Sequence, residues 1–138
     1  MSEIVLSKHQ YLELENIALG AFAPLTGFMD QEEFHGVVNA MRLPSGDLFP
    51  LPVVLDLPAE ETKRMHLGQK VSLIFDRQEV GEIIPSSIYA CDRLSAADKV
   101  FGTRDMSHPG VASFLKRAEF FVGGPVRLLR RAQFDFCD

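Results

Sequence analysis

The stretch GTRDMSHPGV, residues 102–111, gathers the groups best suited to chemistry in this chain of 138 residues. Arg104 carries a fixed positive charge, His108 an imidazole ring, and Pro109-Gly110 opens a helix. The first N–H groups of a helix have no intrahelical acceptor and, with the aligned peptide dipoles, favour negative charge. Arg104, His108 and the Gly110 N–H therefore form a candidate anion-binding set. They supply neither a nucleophile nor a general base, so the chemistry is contact with an anion. A structural reading stands beside it: Asp105 pairs with Arg104, while His108 caps the helix or bonds a backbone carbonyl.

Other reactive groups have simpler explanations. Thr26 has no base at a fixed spacing. Asp30, Glu32 and Glu33, and again Glu60 and Glu61, suit helix first turns, where acidic side chains complement the dipole. His35 and His66 read as surface or satisfied polar groups. Gly123-Gly124 lacks the strand–loop–helix setting of a phosphate-cradling loop. Cys91 and Cys137 form no CxxC pair and lie in no His-rich context, so they read as free thiols and no metal site is expected. No residue pattern implies a cofactor.

Composition narrows the function classes. The formal charge of −5 argues against a general nucleic-acid binder, which needs a basic face to displace phosphate counterions. The one basic cluster, Arg127, Arg130 and Arg131, fits the solvated side of a strand. The N-terminus MSEIVLSKHQ has no apolar targeting core and no segment approaches the length of a membrane span, so a cytoplasmic protein is expected.

These residues must be positioned by local elements, and several are well marked. Ser7 and Gln10 have capping-box spacing, Leu6 and Tyr11 staple spacing, and Gly20 follows the last periodic residue, which predicts a helix over about 8–19. Asp30 with Glu33, and Met29 with Phe34, repeat the pattern for a second helix closing at Pro44 and Gly46. GAFAPLTGFM (20–29) links the two. Its Phe22, Leu25 and Phe28 are expected to tuck under both helices as a plug, Pro24 to shape the loop, and Gly27 to take a positive φ. LFPLPVVLDL (48–57) reads as a strand limited by its prolines, followed by a short helix at about 59–65. KVSLIFD and EVGEIIP, flanking Arg77-Gln78, read as a hairpin. A helical turn is expected to begin at Ser95, and a helix from Pro109 to about Lys116. Gly123-Gly124 within EFFVGGPVRLL (119–129) reads as a second hairpin. With no βαβ alternation, one α+β domain over 1–138 is expected, built on a small, mostly antiparallel β barrel with flanking helices.

The run LS…LELE…GAF-PLTGFM, the segment MRL…G…P-P-V-L-D, VFGTRDMSHPGV and FFVGGPV together resemble the start of ATP sulfurylases (sulfate adenylyltransferases), in the same order and over nearly the whole chain. The resemblance implies their N-terminal PUA-like domain, a β pseudo-barrel with packed helices. It does not extend to catalysis. In that family a Gln-x-Arg-Asn…His-x-x-His signature in the next domain binds the ATP phosphates. None of Gln10, Gln31, Gln69, Gln78 and Gln133 is followed by x-Arg-Asn, and no His-x-x-His occurs. The isolated chain is therefore expected to be inactive.

Three functions follow. The first is a stand-alone, non-catalytic structural or docking module that meets an adenylyltransferase catalytic domain on another chain, or self-associates. The second is a PUA-like module for RNA, which the acidic charge disfavours. The third is a binder of sulfate or adenylyl sulfate through the 102–111 loop. Docking is expected around Arg104–Val111 and Phe134–Asp138, with Phe134 and Phe136 either offered to a partner or folded back onto the barrel.

Overall fold

The computed structural model describes residues 3–49, 52–90, 93–118 and 120–131. A short strand, β1 (Glu3–Val5), buries Ile4 and leads into α1 (Lys8–Ala18). The Ser7 hydroxyl accepts from the Gln10 N–H while the Gln10 side chain accepts from the Ser7 N–H, closing the expected capping box. Leu6 and Tyr11 are both buried, as a staple requires. The linker ends in a two-residue strand, β2 (Gly27–Phe28), which the helix periodicities did not reveal. The second capping box, Asp30 with Glu33, opens α2 (Gln31–Ala40).

The opening loop is a plug only in part. Leu25 and Phe28 are buried, but Phe22 is half-exposed and Pro24 lies on the surface after a cis bond. Gly27 does not take a positive φ. It sits in β2, where a Cβ would lie 1.8 Å from the Gly124 carbonyl oxygen. Close backbone approach, rather than a left-handed turn, is what requires glycine there.

Among the described residues of 48–57, β3 covers Leu55–Leu57, and Pro52 before it carries no ladder donor. A single helical turn, α3 (Ala59–Thr62), follows. Strands β4 (Val71–Phe75) and β5 (Gln78–Ile83) form the expected hairpin. Its turn falls one residue earlier than the sequence indicated: Asp76 and Arg77 adopt φ of 52° and 63°. Two successive left-handed residues match the twist of the flanking strands, and no Asn-Gly pair marked them. A further strand, β6 (Ser87–Ala90), precedes α4 (Arg93–Phe101). Ser95 is thus inside α4 and not its cap, because the helix starts two residues earlier. Pro109 is the first residue of α5 (Pro109–Leu115), as expected.

The last strand, β7 (Phe120–Leu128), organises the sheet. It pairs antiparallel with β2, β3, β5 and β6, whereas β1 joins β4 in parallel. In register along β7, β5 and then β6 follow one edge, and β2 and then β3 the other. Gly123-Gly124 is therefore not a hairpin turn. It is the mid-strand point where four backbones converge: a Cβ on Gly123 would lie 2.4 Å from the Met29 carbonyl oxygen, and one on Gly124 2.2 Å from that of Ile84. The result is a curled seven-stranded sheet with five helices among the described residues, an α+β half-barrel. Phe121 is wholly buried at its centre, with Phe34, Tyr89 and Phe114 packed around it at centroid distances of 5.3, 5.8 and 6.2 Å.

Candidate functional site

The predicted anion set is dispersed among structural duties. His108 is the N-cap of α5, its Nδ1 accepting from the Gly110 N–H at 3.1 Å and the Val111 N–H at 3.4 Å. Gly110 has a packing reason to be glycine, since a Cβ would meet the Phe101 ring at 2.6 Å. Arg104 does not pair with Asp105. Its Nε lies 3.3 Å from the Asp98 carboxylate of α4, at an exposed position. Asp105 instead accepts from the Ser107 N–H, a local turn contact that lowers its carboxyl below the usual range. Phe134 and Phe136 lie outside the described residues.

The structure instead assembles a polar cluster that the sequence reading did not identify. Glu13 and His9 stand one turn apart on α1, with His9 Nε2 3.3 Å from Glu13 Oε1. Arg117, just beyond α5, reaches over them. Its Nη1 donates to the Val54 carbonyl at 3.3 Å and lies 3.4 Å from Asp56 of β3. Its Nη2 stands 2.9 Å from His9 Nε2. A guanidinium only donates, so His9 Nε2 accepts and the His9 proton sits on Nδ1. The Arg117 carbonyl in turn accepts from Arg93, which fixes the backbone there. Asp56 is held further by the Gln10 side chain at 3.2 Å and the Ala118 N–H at 2.9 Å.

Glu13 is the anomaly. It is buried, and among the described residues its Oε1 is the one buried side-chain oxygen or nitrogen without a hydrogen-bond partner. Arg117 comes no nearer than 3.9 Å. Burial pushes the Glu13 carboxyl up to about 7, with Arg117 opposing and Asp56 reinforcing the shift. Burial, followed by Arg117, holds His9 below its ordinary value.

This cluster lies beside an open groove of about 820 Å³. Leu12, Glu13 and Asn16 of α1 form one wall, and Phe101, Gly110, Ser113 and Phe114 the other. Phe22, Leu48, Phe49 and Val53 close the third side, with Phe22 edge-on to Phe49 at 6.3 Å. Leu48 remains 65% exposed although apolar. The groove is a mostly apolar surface with one buried acid. The i, i+4 spacing of His9 and Glu13 is a local signal that the sequence reading passed over. Arg117, 108 residues from His9, gave no such signal.

The Glu13 environment gives a pH signature. The folded protein keeps this proton to about pH 7, whereas an unperturbed carboxyl loses it near 4.5. Its contribution is full below the lower value and is lost as pH rises through the upper one, by at most roughly 3 kcal/mol. His9, lowered in the fold, acts in the opposite sense. Chemical denaturation of wild type and Glu13→Gln separates the two: wild type should lose stability relative to the variant between about pH 4.5 and 7. A difference independent of pH would show that Glu13 is ionised in the folded chain throughout.

A family model described as the PUA-like domain matches residues 1–131, and the chain belongs to that family. Over its whole length it is similar to sulfate adenylyltransferases. That of Halothermothrix orenii is 36% identical over 137 residues, 98% of this chain and 36% of the relative. Those of Schizosaccharomyces pombe and Mycosarcoma maydis are 35% and 34% identical, covering 100% and 99% of this chain but 29% and 25% of theirs. The chain thus spans about a quarter to a third of the length of these curated relatives. A solved structure described as a hexameric APS kinase from Thiobacillus denitrificans superposes with a TM-score of 0.72 over 99% of this chain and 23% of that one. At 20% identity this is a likeness of fold. None of the described helices is long and apolar enough to cross a membrane.

Proposed function

We propose that this chain is a non-catalytic docking module of sulfate activation, and that it meets an adenylyltransferase catalytic domain through the groove between α1 and α5. The observation that carries the reading is the groove itself: Leu12, Leu48, Phe49 and Phe101 line an open, mainly apolar surface. Such patches mark interaction sites, because leaving them in water forgoes burial that a partner provides. The similarity to sulfate adenylyltransferases supports the link to sulfate activation. A specific contact needs roughly 1,000 Å² of total buried area, so the partner must also cover surface beyond the groove, with the Arg104–Val111 segment the candidate.

Sedimentation velocity of the chain with the separately expressed catalytic domain of the Halothermothrix orenii enzyme tests the reading. A complex is expected, and Leu48→Glu should weaken it about tenfold or more by placing a charge in the apolar contact. Leu48 is exposed, so the variant should fold normally. A chain that stays monomeric beside the catalytic domain at high micromolar concentration would overturn the docking role. Self-association blocked by Leu48→Glu would instead make a second copy the occupant.

A further inference from the structure

Glu13 gives the groove a chemical preference. Apolar walls alone would accept any greasy surface, but Glu13, nine-tenths buried, lines this groove, and its covered Oε1 has no hydrogen-bond partner. An ionised carboxylate held this deep costs desolvation, so an occupant that brings an N–H group to the Glu13 carboxylate offsets that cost on binding. The neighbouring donors are already committed: Arg117 serves Asp56, the Val54 carbonyl and His9. Asp56 also balances the Arg117 charge, which lessens repulsion of a second cation. The nearby rings of Phe22, Phe49, Phe101 and Phe114 suit the stem and the charged face of such a group. The formal charge of −5 draws cations toward the molecule.

We propose that the groove receives a basic side chain, arginine or lysine, presented by the partner protein among apolar residues, with its N–H donors on the Glu13 carboxylate. The inference rests on the docking reading and adds what the partner must carry. Charge-assisted pairing requires ionised Glu13, and the groups facing it are His9 on α1, Arg117 after α5 and Asp56 on β3. Binding therefore releases the Glu13 proton and tightens as pH rises through about 7.

The test has two arms. In the first, benzamidine, a flat ring with an arginine-like fork, is titrated into the chain while NMR follows the Glu13 carboxyl. Saturable binding and a downward shift of the Glu13 midpoint are expected, with about a tenfold loss in Glu13→Gln. Phenylacetate, of similar shape but anionic, should not bind. Equal binding of benzamidine to wild type and Glu13→Gln, or equal binding of the two probes, overturns the inference. Matching thermal unfolding of the two proteins at acidic pH, where the wild-type Glu13 is neutral like the amide that replaces it, shows that the variant is intact. In the second arm, affinity for the Halothermothrix orenii catalytic domain is measured against pH. A complex that forms with no pH dependence and no effect of Glu13→Gln refutes this inference alone, whereas absence of any complex refutes the docking reading beneath it.

Discussion

Gly27→Val should leave no cooperatively folded protein. Gly27 stands opposite Pro125 in the β2–β7 ladder. An added Cβ would lie 1.8 Å from the Gly124 carbonyl oxygen, 2.5 Å from its carbon and 2.7 Å from the Pro125 Cα. All three atoms are backbone, so no rotamer change relieves the overlap. β7 cannot retreat either, because β3, β5 and β6 hold it as well. Either β2 detaches, exposing the wholly buried Phe28 and the start of α2, or the sheet opens. Both exceed the ordinary range of a point substitution, so a loss above about 4 kcal/mol is expected. Denaturant titration should show no sharp transition for Gly27→Val and a near-normal one for Thr26→Val, at the exposed neighbouring position. A normal midpoint for Gly27→Val would mean that β2 does not pair with β7.

Arg117→Met should produce the next largest loss, about 4 kcal/mol. The Arg117 side chain is only 16% exposed and is shared among Asp56, the Val54 carbonyl, His9 and the vicinity of Glu13. Methionine keeps the apolar stem but leaves Asp56 without its cation in a partly buried site. It also removes the one charge that lowers the Glu13 carboxyl, which should move further above the ordinary range. Restoring neutrality with Asp56→Asn in the Arg117→Met background should return part of the loss, and the double-mutant cycle measures how much. A loss below about 1 kcal/mol would place the network among solvent-screened surface pairs.

Both positions mark where local pattern stops being informative. Short-range signals carried well: each capping box lies within four residues. The motif blocks likewise located the PUA-like family and its relatives before any fold was visible. Glycine misled because one residue type serves two purposes. At Gly123-Gly124 and at Gly27 it admits another backbone rather than turning the chain, and nothing in the flanking residues distinguishes the two uses.

By itself the sequence determined α1, α2, α5 and the β4–β5 hairpin, the acidic net charge, and the lack of any Gln-x-Arg-Asn or His-x-x-His group. These depend on contacts between residues near one another in the chain, or on composition. Only the tertiary structure decided that β7 is shared by four strands, that Arg104 faces Asp98, and that Arg117 closes over His9, Glu13 and Asp56 beside an apolar groove. The physical reason is distance along the chain. The burial that raises the Glu13 carboxyl comes from elements packed against α1 rather than from its helical neighbours, and an electrostatic environment of that kind exists only once those elements have met.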